Sequence, residues 1–306
     1  MSQPSATLFL GGAVGICALK AVADSQFRID TVILDRPHAH EDPGDWDRIK
    51  RLCVRLGISI ISNSADALDA WQRTTSSQYL MSFGYRRMIS RELRNAVSKG
   101  SLGTHFAPLP RYRGFAPLHW AIINGEPEWA ISLFILQDEV DSGPIVASSP
   151  ILIGPRDDIN TLYSKSLKVL KDLLDEVLPH LDKAIATAIP QNEDLATYGC
   201  ARNPSDSRVD WRDSSARIDR LVRAVAPPFP GAFCFLEGTK IVLVECEPVA
   251  GPIFEGHVPG RVGRISSKGV EVLCGLGEAL LIRTILVDGV LKPAHDVIRS
   301  PRQTLT

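Results

Sequence analysis
Through the first half of the chain, short apolar runs alternate with stretches of helical period, and this alternation limits the fold more than any other feature. ATLFL (6–10) runs into Gly11, Gly12 and Gly15 and then ICALKAVADS, giving a strand, a glycine turn and a helix. DTVILD (30–35) reads as the next strand. A helix over 45–56 puts Ile49, Leu52, Cys53 and Leu56 on one face. ISIIS is a third strand, and Ser64 stands as N-cap before ADALDAWQ. QYLMSF (78–83), a helix over 87–97 and SLGTHF (101–106) continue the pattern. Strands separated by helices define an α/β domain with a mainly parallel sheet.

ISLFILQ (131–137) and PIVASSPILI (144–153) add two strands, joined by an acidic loop. Residues 158–183 carry apolar positions at helical spacing and read as one long amphipathic helix. Beyond residue 185 the texture turns polar and turn-rich. The expected division is a first domain over 1–190, a linker over 191–212 and a second domain over 213–306. The second opens with a helix over 214–226 and PPFPG, followed by five short strands, the pattern of a small β-barrel.

Composition removes several classes of function. The 306 residues carry 34 Lys plus Arg against 35 Asp plus Glu, so no strong field attracts nucleic acid or an anionic membrane. Cys17, Cys53, Cys200, Cys234, Cys246 and Cys274 form no CxxC pair and read as reduced thiols of a cytoplasmic protein. No metal site is expected from the His and Cys spacing. The N-terminus lacks the charge and apolar core of a signal peptide, and no apolar run reaches membrane-spanning length.

The stretch GTHFAPLPRYRGFAPLHWAIINGE (103–126) carries the chemistry. His105 ends a strand, which is where open α/β sheets bind ligands. Pro108, Pro110 and Pro117 stiffen the following loop, and Arg111 and Arg113 flank Tyr112. The acidic turn DEVDSG (138–143) brings Asp141 within reach if it lies at the same edge. A carboxylate beside an imidazole orients the ring and lets it exchange protons near neutral pH. The plainer alternative is a satisfied loop histidine and a solvated turn. The GGxxG turn after the first strand lacks the GxGxxG spacing of a dinucleotide site.

LPRYRGFAPLHWAIINGE followed by an acidic DSG turn resembles the 10-formyltetrahydrofolate-dependent formyltransferases. It is most similar to methionyl-tRNA and amino-sugar formyltransferases. LFLGGAVGICALKAV, SFGYRRMI and VDWRDSSARIDRLVRAVAPPFPGAF extend the likeness over nearly the whole chain. The resemblance implies a Rossmann-like formyltransferase domain, an OB-like barrel, and an enzyme that uses 10-formyltetrahydrofolate. It implies that His105 exchanges the proton and Asp141 tunes it. It also implies cofactor contacts at Phe83, Gly84, Tyr85, Pro108, Leu109, Pro110, Gln137, Asp138, Glu139 and Val140. Arg111 and Arg113 are expected to contact the substrate. One position departs: Gly103 stands where the family has a catalytic Asn. On a strand, 103 and 105 share a face while Thr104 points away. A backbone amide, a water or another polar residue such as Asn124 then replaces the donor, or transfer is slow or lost.

The acceptor favoured is a nucleotide-linked amino sugar. The tRNA enzymes carry a basic insertion after the second strand, whereas here Glu41, Asp42, Asp45 and Asp47 offset Arg36, Arg48 and Lys50. FAPLHWAIINGE also reads closer to the sugar type. The alternatives are charged initiator tRNA, a hydroxyornithine-type siderophore precursor, and a folate-binding protein with degenerate catalysis. The barrel's expected role in sugar-type relatives is a homodimer interface or extra nucleotide contact.

Overall fold
All six residues of the first strand, β1 (Ser5–Leu10), are buried, because β1 pairs on both sides and is covered on both faces. In the computed structural model, which describes residues 3–35, 43–250 and 254–306, β1 is the middle of a larger sheet. There follow α1 (Gly12–Ala23), β2 (Arg28–Leu34), α2 (Pro43–Leu56), β3 (Ser59–Ser62), α3 (Ala65–Thr74), β4 (Tyr79–Phe83), α4 (Arg91–Asn95) and β5 (Gly100–His105). Next come the two-residue β6 (Arg113–Gly114), α5 (Pro117–Asn124), β7 (Glu128–Ile135), β8 (Ile145–Leu152), α6 (Ile159–Val177), α7 (Leu181–Ala186) and the two-residue β9 (Tyr198–Gly199).

The sheet runs in the order β3-β2-β1-β4-β5-β7-β8. The first five are parallel, and β7 and β8 run antiparallel to their neighbours. The chain winds one way from β1 to β3 and then returns to add β4 and β5 on the other side. The crevice between β1 and β4 is therefore the switch point at which such sheets bind ligands. Phe9, Ile33, Trp71, Leu80, Ile89 and Val97 form a core cluster on this sheet, with Phe9 edge-on to Trp71 at 5.7 Å.

At the switch point two glycine turns meet backbone to backbone. Gly11 N donates to the Phe83 carbonyl at 3.1 Å. A Cβ on Gly11 would collide with the carbonyl oxygen of Gly84, and a Cβ on Gly84 with that of Gly11. Gly84 also has φ +68, which side chains resist. Gly15 closes α1 onto β1: a Cβ there would lie 3.0 Å from the Leu10 Cβ.

Local chemistry explains where expectation and structure differ. Ser64 does cap α3, its hydroxyl accepting from Ala67 N at 3.4 Å. The expected helix over 87–97 shrinks to Arg91–Asn95, started by the Ser90 cap. The long helix over 158–183 breaks, because Pro179 has no N–H to continue the ladder. A short 3-10 turn (Leu178–His180) separates α6 from α7.

The chain falls into two compact units. One gathers Met1–Pro117, Glu128–Leu152 and Tyr163–Cys200; the other gathers Leu118–Pro127, Ile153–Leu162 and Ala201–Thr306. The last division falls at 200/201, and two inner segments join the C-terminal unit. That unit adds α8 (Ser215–Ala224), β10 (Ala232–Leu236), β11 (Thr239–Val249), β12 (Val262–Ser266), β13 (Gly269–Leu273), β14 (Ala279–Val287), β15 (Val290–Pro293) and α9 (Ala294–Val297). Six strands, one more than expected, form an antiparallel sheet in the order β10-β11-β14-β13-β12, with β15 on β14. Residues 304–306 bridge its two ends: Leu305 pairs with Leu236 of β10, and Thr304 pairs with Arg261 beside β12. This lacing turns an open sheet into a barrel-like closure. The charge reading made over 35–50 falls partly on residues 36–42, outside the described residues. Among the described residues, no helix is long and apolar enough to cross a membrane.

Gly84→Ala is expected to cost about 3 kcal/mol, since it combines backbone collision with a positive φ. Gly57→Ala has the same φ problem (+67) but nothing within 4 Å, and is expected to cost about 1 kcal/mol. Urea unfolding midpoints of the two variants measure the difference, and equal losses would refute the close-approach account.

Candidate active site
β5 lies between a parallel partner, β4, and an antiparallel one, β7. His105 ends it and is only 7% exposed. Its Nε2 lies 2.7 Å from the Tyr112 carbonyl oxygen, and its Nδ1 lies 3.4 Å from Asp141 Oδ2. A carbonyl and an ionised carboxylate only accept hydrogen bonds, so both sides of the ring face acceptors. Asp141 is itself fixed: its carboxylate accepts from Gly114 N at 2.8 Å, and its carbonyl accepts from Gln191 Nε2 at 2.8 Å. Asp141 (φ +52), Tyr112 (φ +59) and Ala116 (φ +50) all hold left-handed backbone, so strain is concentrated around this pair. The two positions read from the sequence as a pair are therefore brought together.

Arg113 has a different place from the one expected. It is fully buried, and its guanidinium makes five hydrogen bonds to Gln191, Glu193 and Tyr198. An arginine has five N–H donors, so none is left for a substrate. Arg113 instead ties the 111–114 loop to residues 191–198, which corrects its assignment as a substrate contact. The short β6–β9 pairing and a bond from Tyr112 N to Thr197 Oγ1 (2.9 Å) reinforce the tie. Arg111 is exposed, with its guanidinium 5.3 Å from the Tyr112 ring.

Gly103 shares the face of His105, and the space above it is already filled. A Cβ there would lie 2.5 Å from Leu136 Cδ2 and 3.1 Å from the Phe134 ring. Apolar side chains thus occupy the volume in which an Asn side chain would stand. Thr104 offers no replacement, because its hydroxyl donates to the Ser132 carbonyl at 3.4 Å.

Of the remaining expected positions, 83–85 and 108–110 lie at or after the carboxyl ends of β4 and β5, while 137–140 follow the antiparallel β7, whose last residue pairs with Leu102. Phe83 is buried, while Gly84 and Tyr85 are half-buried beside the Gly11 turn. Leu109 is buried, with Pro108 and Pro110 half-buried around it. Gln137, Asp138, Glu139 and Val140 are exposed. The Asp138 carboxylate is engaged by Arg91 and Arg94, and the Arg91 partnership holds it below the ordinary carboxylate range. Sequence reading missed Asp35, whose buried carboxylate accepts from Asn63 Nδ2 (2.5 Å) and Arg87 Nε (3.2 Å) after β2. Burial, and then the Asp35 charge, push the neighbouring Tyr85 phenol up, so it stays neutral. Polar residues immediately after parallel strands were the available signal. Burial also pushes up the thiols of Cys53 (to about 11), Cys234 and Cys274 (both to about 12), which disarms them as nucleophiles.

Two family descriptions match the chain: Formyl transferase over residues 55–178, and Formyl transferase, C-terminal domain, over residues 202–300. The chain belongs to the formyl transferase family, and its fold is the formyltransferase fold. Among solved structures it is similar to HypX from Aquifex aeolicus, at 16% identity and TM-score 0.62. That match covers 98% of this chain and 49% of HypX, so the chain spans about half the length of that relative. It is similar to WlaRD, a sugar 3N-formyl transferase solved in the presence of dTDP and 5-N-formyl-THF. There the identity is 16% and the TM-score 0.68, covering 92% and 98% of the two chains. The N-formyltransferase from Helicobacter canadensis, in complex with folinic acid and dTDP-3-aminofucose, matches at 16% and 0.68, covering 92% and 99%.

Arg113→Lys keeps the charge but drops at least two of the five bonds, and is expected to destabilise the protein by about 2–3 kcal/mol in urea unfolding. Gly103→Asn is expected to destabilise by about 1–3 kcal/mol through overpacking. Most of that loss returns when Leu136→Ala is added. An additive double variant would mean that Leu136 does not occupy the Asn volume.

Proposed function
We propose that the protein moves a formyl group from 10-formyltetrahydrofolate to the amine of a nucleotide-linked amino sugar. The observation that carries this reading is the buried His105–Asp141 pair at the carboxyl end of β5, in a chain of the formyl transferase family. The sugar acceptor is supported by the fold shared with N-formyltransferases whose structures hold a dTDP-linked amino sugar or dTDP.

The chain's residues suit such a cofactor. A flat pterin-type ring needs an edge of free backbone groups and little side-chain bulk. The bare Gly84 between buried Phe83 and half-buried Tyr85, and the exposed residues 137–140, are the positions that suit this need. When bound, 10-formyltetrahydrofolate supplies the activated formyl group. Residues 83–85, 108–110 and 137–140 hold and orient it. The His105 ring manages the proton released by the attacking amine, with the Nε2 side exchanging its Tyr112 partner for the acceptor. Asp141 fixes the ring through its Nδ1 side. Negative charge on the formyl oxygen is met by a backbone N–H or water, because position 103 presents no donor. Loss of one such donor slows acyl transfer by roughly 100–1000-fold, so a modest turnover is expected.

The filled space at Gly103 favours one second reading, folate binding without transfer. One assay separates the readings. The protein is incubated with 10-formyltetrahydrofolate and, separately, nucleotide-linked amino sugars, charged initiator tRNA and hydroxyornithine. Tetrahydrofolate release and acceptor mass gain are followed. The expected result is formylation of an amino-sugar nucleotide, reduced about 100-fold or more in His105→Ala with folate binding kept. Formylation of tRNA or hydroxyornithine instead would overturn the acceptor. Folate binding with no formylated acceptor of any kind would favour the second reading.

A further inference from the structure
The second unit contains a cleft of about 420 Å³ whose lining comes entirely from that unit and includes neither His105 nor Asp141. Arg156, Arg220 and Arg223 line it, together with Asp219, Glu126 and Gly125. They come from three places: the turn after α5, the turn after β8, and the α8 helix. Asp219 is buried, and its two oxygens take one arginine each. Oδ1 accepts from Arg156 Nη1 at 3.0 Å, and Oδ2 accepts from Arg223 Nε at 2.9 Å.

Counting donors shows what these arginines leave unused. Arg156 gives one further bond to the Cys246 carbonyl, and Arg223 one to the Asp157 carbonyl. Each therefore keeps three N–H groups. Arg220 gives a single bond, from Nε to the Ile123 carbonyl at 3.0 Å, and keeps four. Its stem crosses Gly125, where a Cβ would lie 3.2 Å from Arg220 Cδ and Nε. That glycine leaves the guanidinium room to sit on the turn. Three cations face two carboxylates on the lining, so the cleft carries a positive surplus. Burial, and then the charges of Arg217 and Arg223, push Arg220 below its ordinary pKa, with Asp219 offsetting part of the effect.

We propose that this cleft binds a phosphate-class anion, held by the free guanidinium edges of Arg156, Arg220 and Arg223. Two forks from α8 and a third from the turn after β8 suit a tetrahedral anion with oxygens in several directions better than a planar carboxylate. The volume exceeds that of one phosphate group and accommodates a diphosphate or a phosphate ester. The inference stands apart from formyl transfer and holds whatever the acceptor at His105 proves to be. Arg156 joins its turn to α8 through Asp219, Arg223 binds Asp219 within α8 and also the Asp157 carbonyl, and Arg220 takes no part in that link. Removal of Arg220 costs one internal bond, to the Ile123 carbonyl, and takes away four free donors.

The test is calorimetric titration of the full chain with inorganic phosphate, pyrophosphate and a nucleoside diphosphate, each used separately. Saturable binding of at least one is expected, weakened about tenfold or more in Arg220→Met and in Arg156→Met. Arg302→Met, an exposed control in the same unit, keeps wild-type affinity. Equal affinity for pyrophosphate and the nucleoside diphosphate assigns the phosphates alone; tighter binding of the latter assigns a nucleotide ligand. Unliganded melting curves accompany each variant. If Arg220→Met fails to fold, Arg156→Met decides alone, since its side chain is 59% exposed. Absence of saturable binding for all three ligands, or a loss smaller than about tenfold in the folded variants, overturns the proposal.

Discussion
The buried guanidinium of Arg113 is the interaction on which the site depends. Its five bonds to Gln191, Glu193 and Tyr198 hold the loop that follows β5 in one place. That loop carries the Tyr112 carbonyl to one side of His105 and the Gly114 amide to Asp141. Gln191 serves both ends: it accepts from Arg113, and it donates to the carbonyls of Asp141 and Gly143. A polar residue some fifty positions downstream thus sets the geometry of the histidine–aspartate pair. The left-handed backbone at Tyr112 and Asp141 is tolerable only because these bonds over-determine it.

The same arrangement explains what sequence could and could not disclose. The β1-to-β5 alternation, the place of His105 at a strand end and the return of Asp141 were legible, because each follows from local period or from a short motif. The task of Arg113 was not, because an arginine in a loop motif looks like a ligand contact until its partners at 191–198 are known. The filling of the Gly103 space was equally hidden. Phe134 lies on the next strand of the sheet and Leu136 just beyond its end, and nothing in their own spacing says which residue they cover. Asp35 was passed over as the last residue of an apolar run, although its position after a parallel strand marks it. The break at Pro179 was legible but was outweighed by the leucine period on either side.

Gly103 gives the site its particular character. The histidine, its carboxylate partner and the loop are all present, while the third position of the family's set has become apolar packing. Leu136 and Phe134 fill the volume beside Gly103 in this chain. Restoring the side chain alone therefore restores nothing. In the function proposed above, the centre has two residues and its charge stabilisation comes from backbone or solvent.

The division of the chain has a bearing on how such a protein can be inherited. The backbone passes between the two compact units at 117/118, 127/128, 152/153, 162/163 and 200/201, five times in all. A gene exchange at a single point cannot deliver either unit whole. Cutting at residue 200 would strip the second unit of the turn bearing Gly125 and of the turn bearing Arg156. The barrel-like half is consequently not a transferable module in the way a tandem domain is.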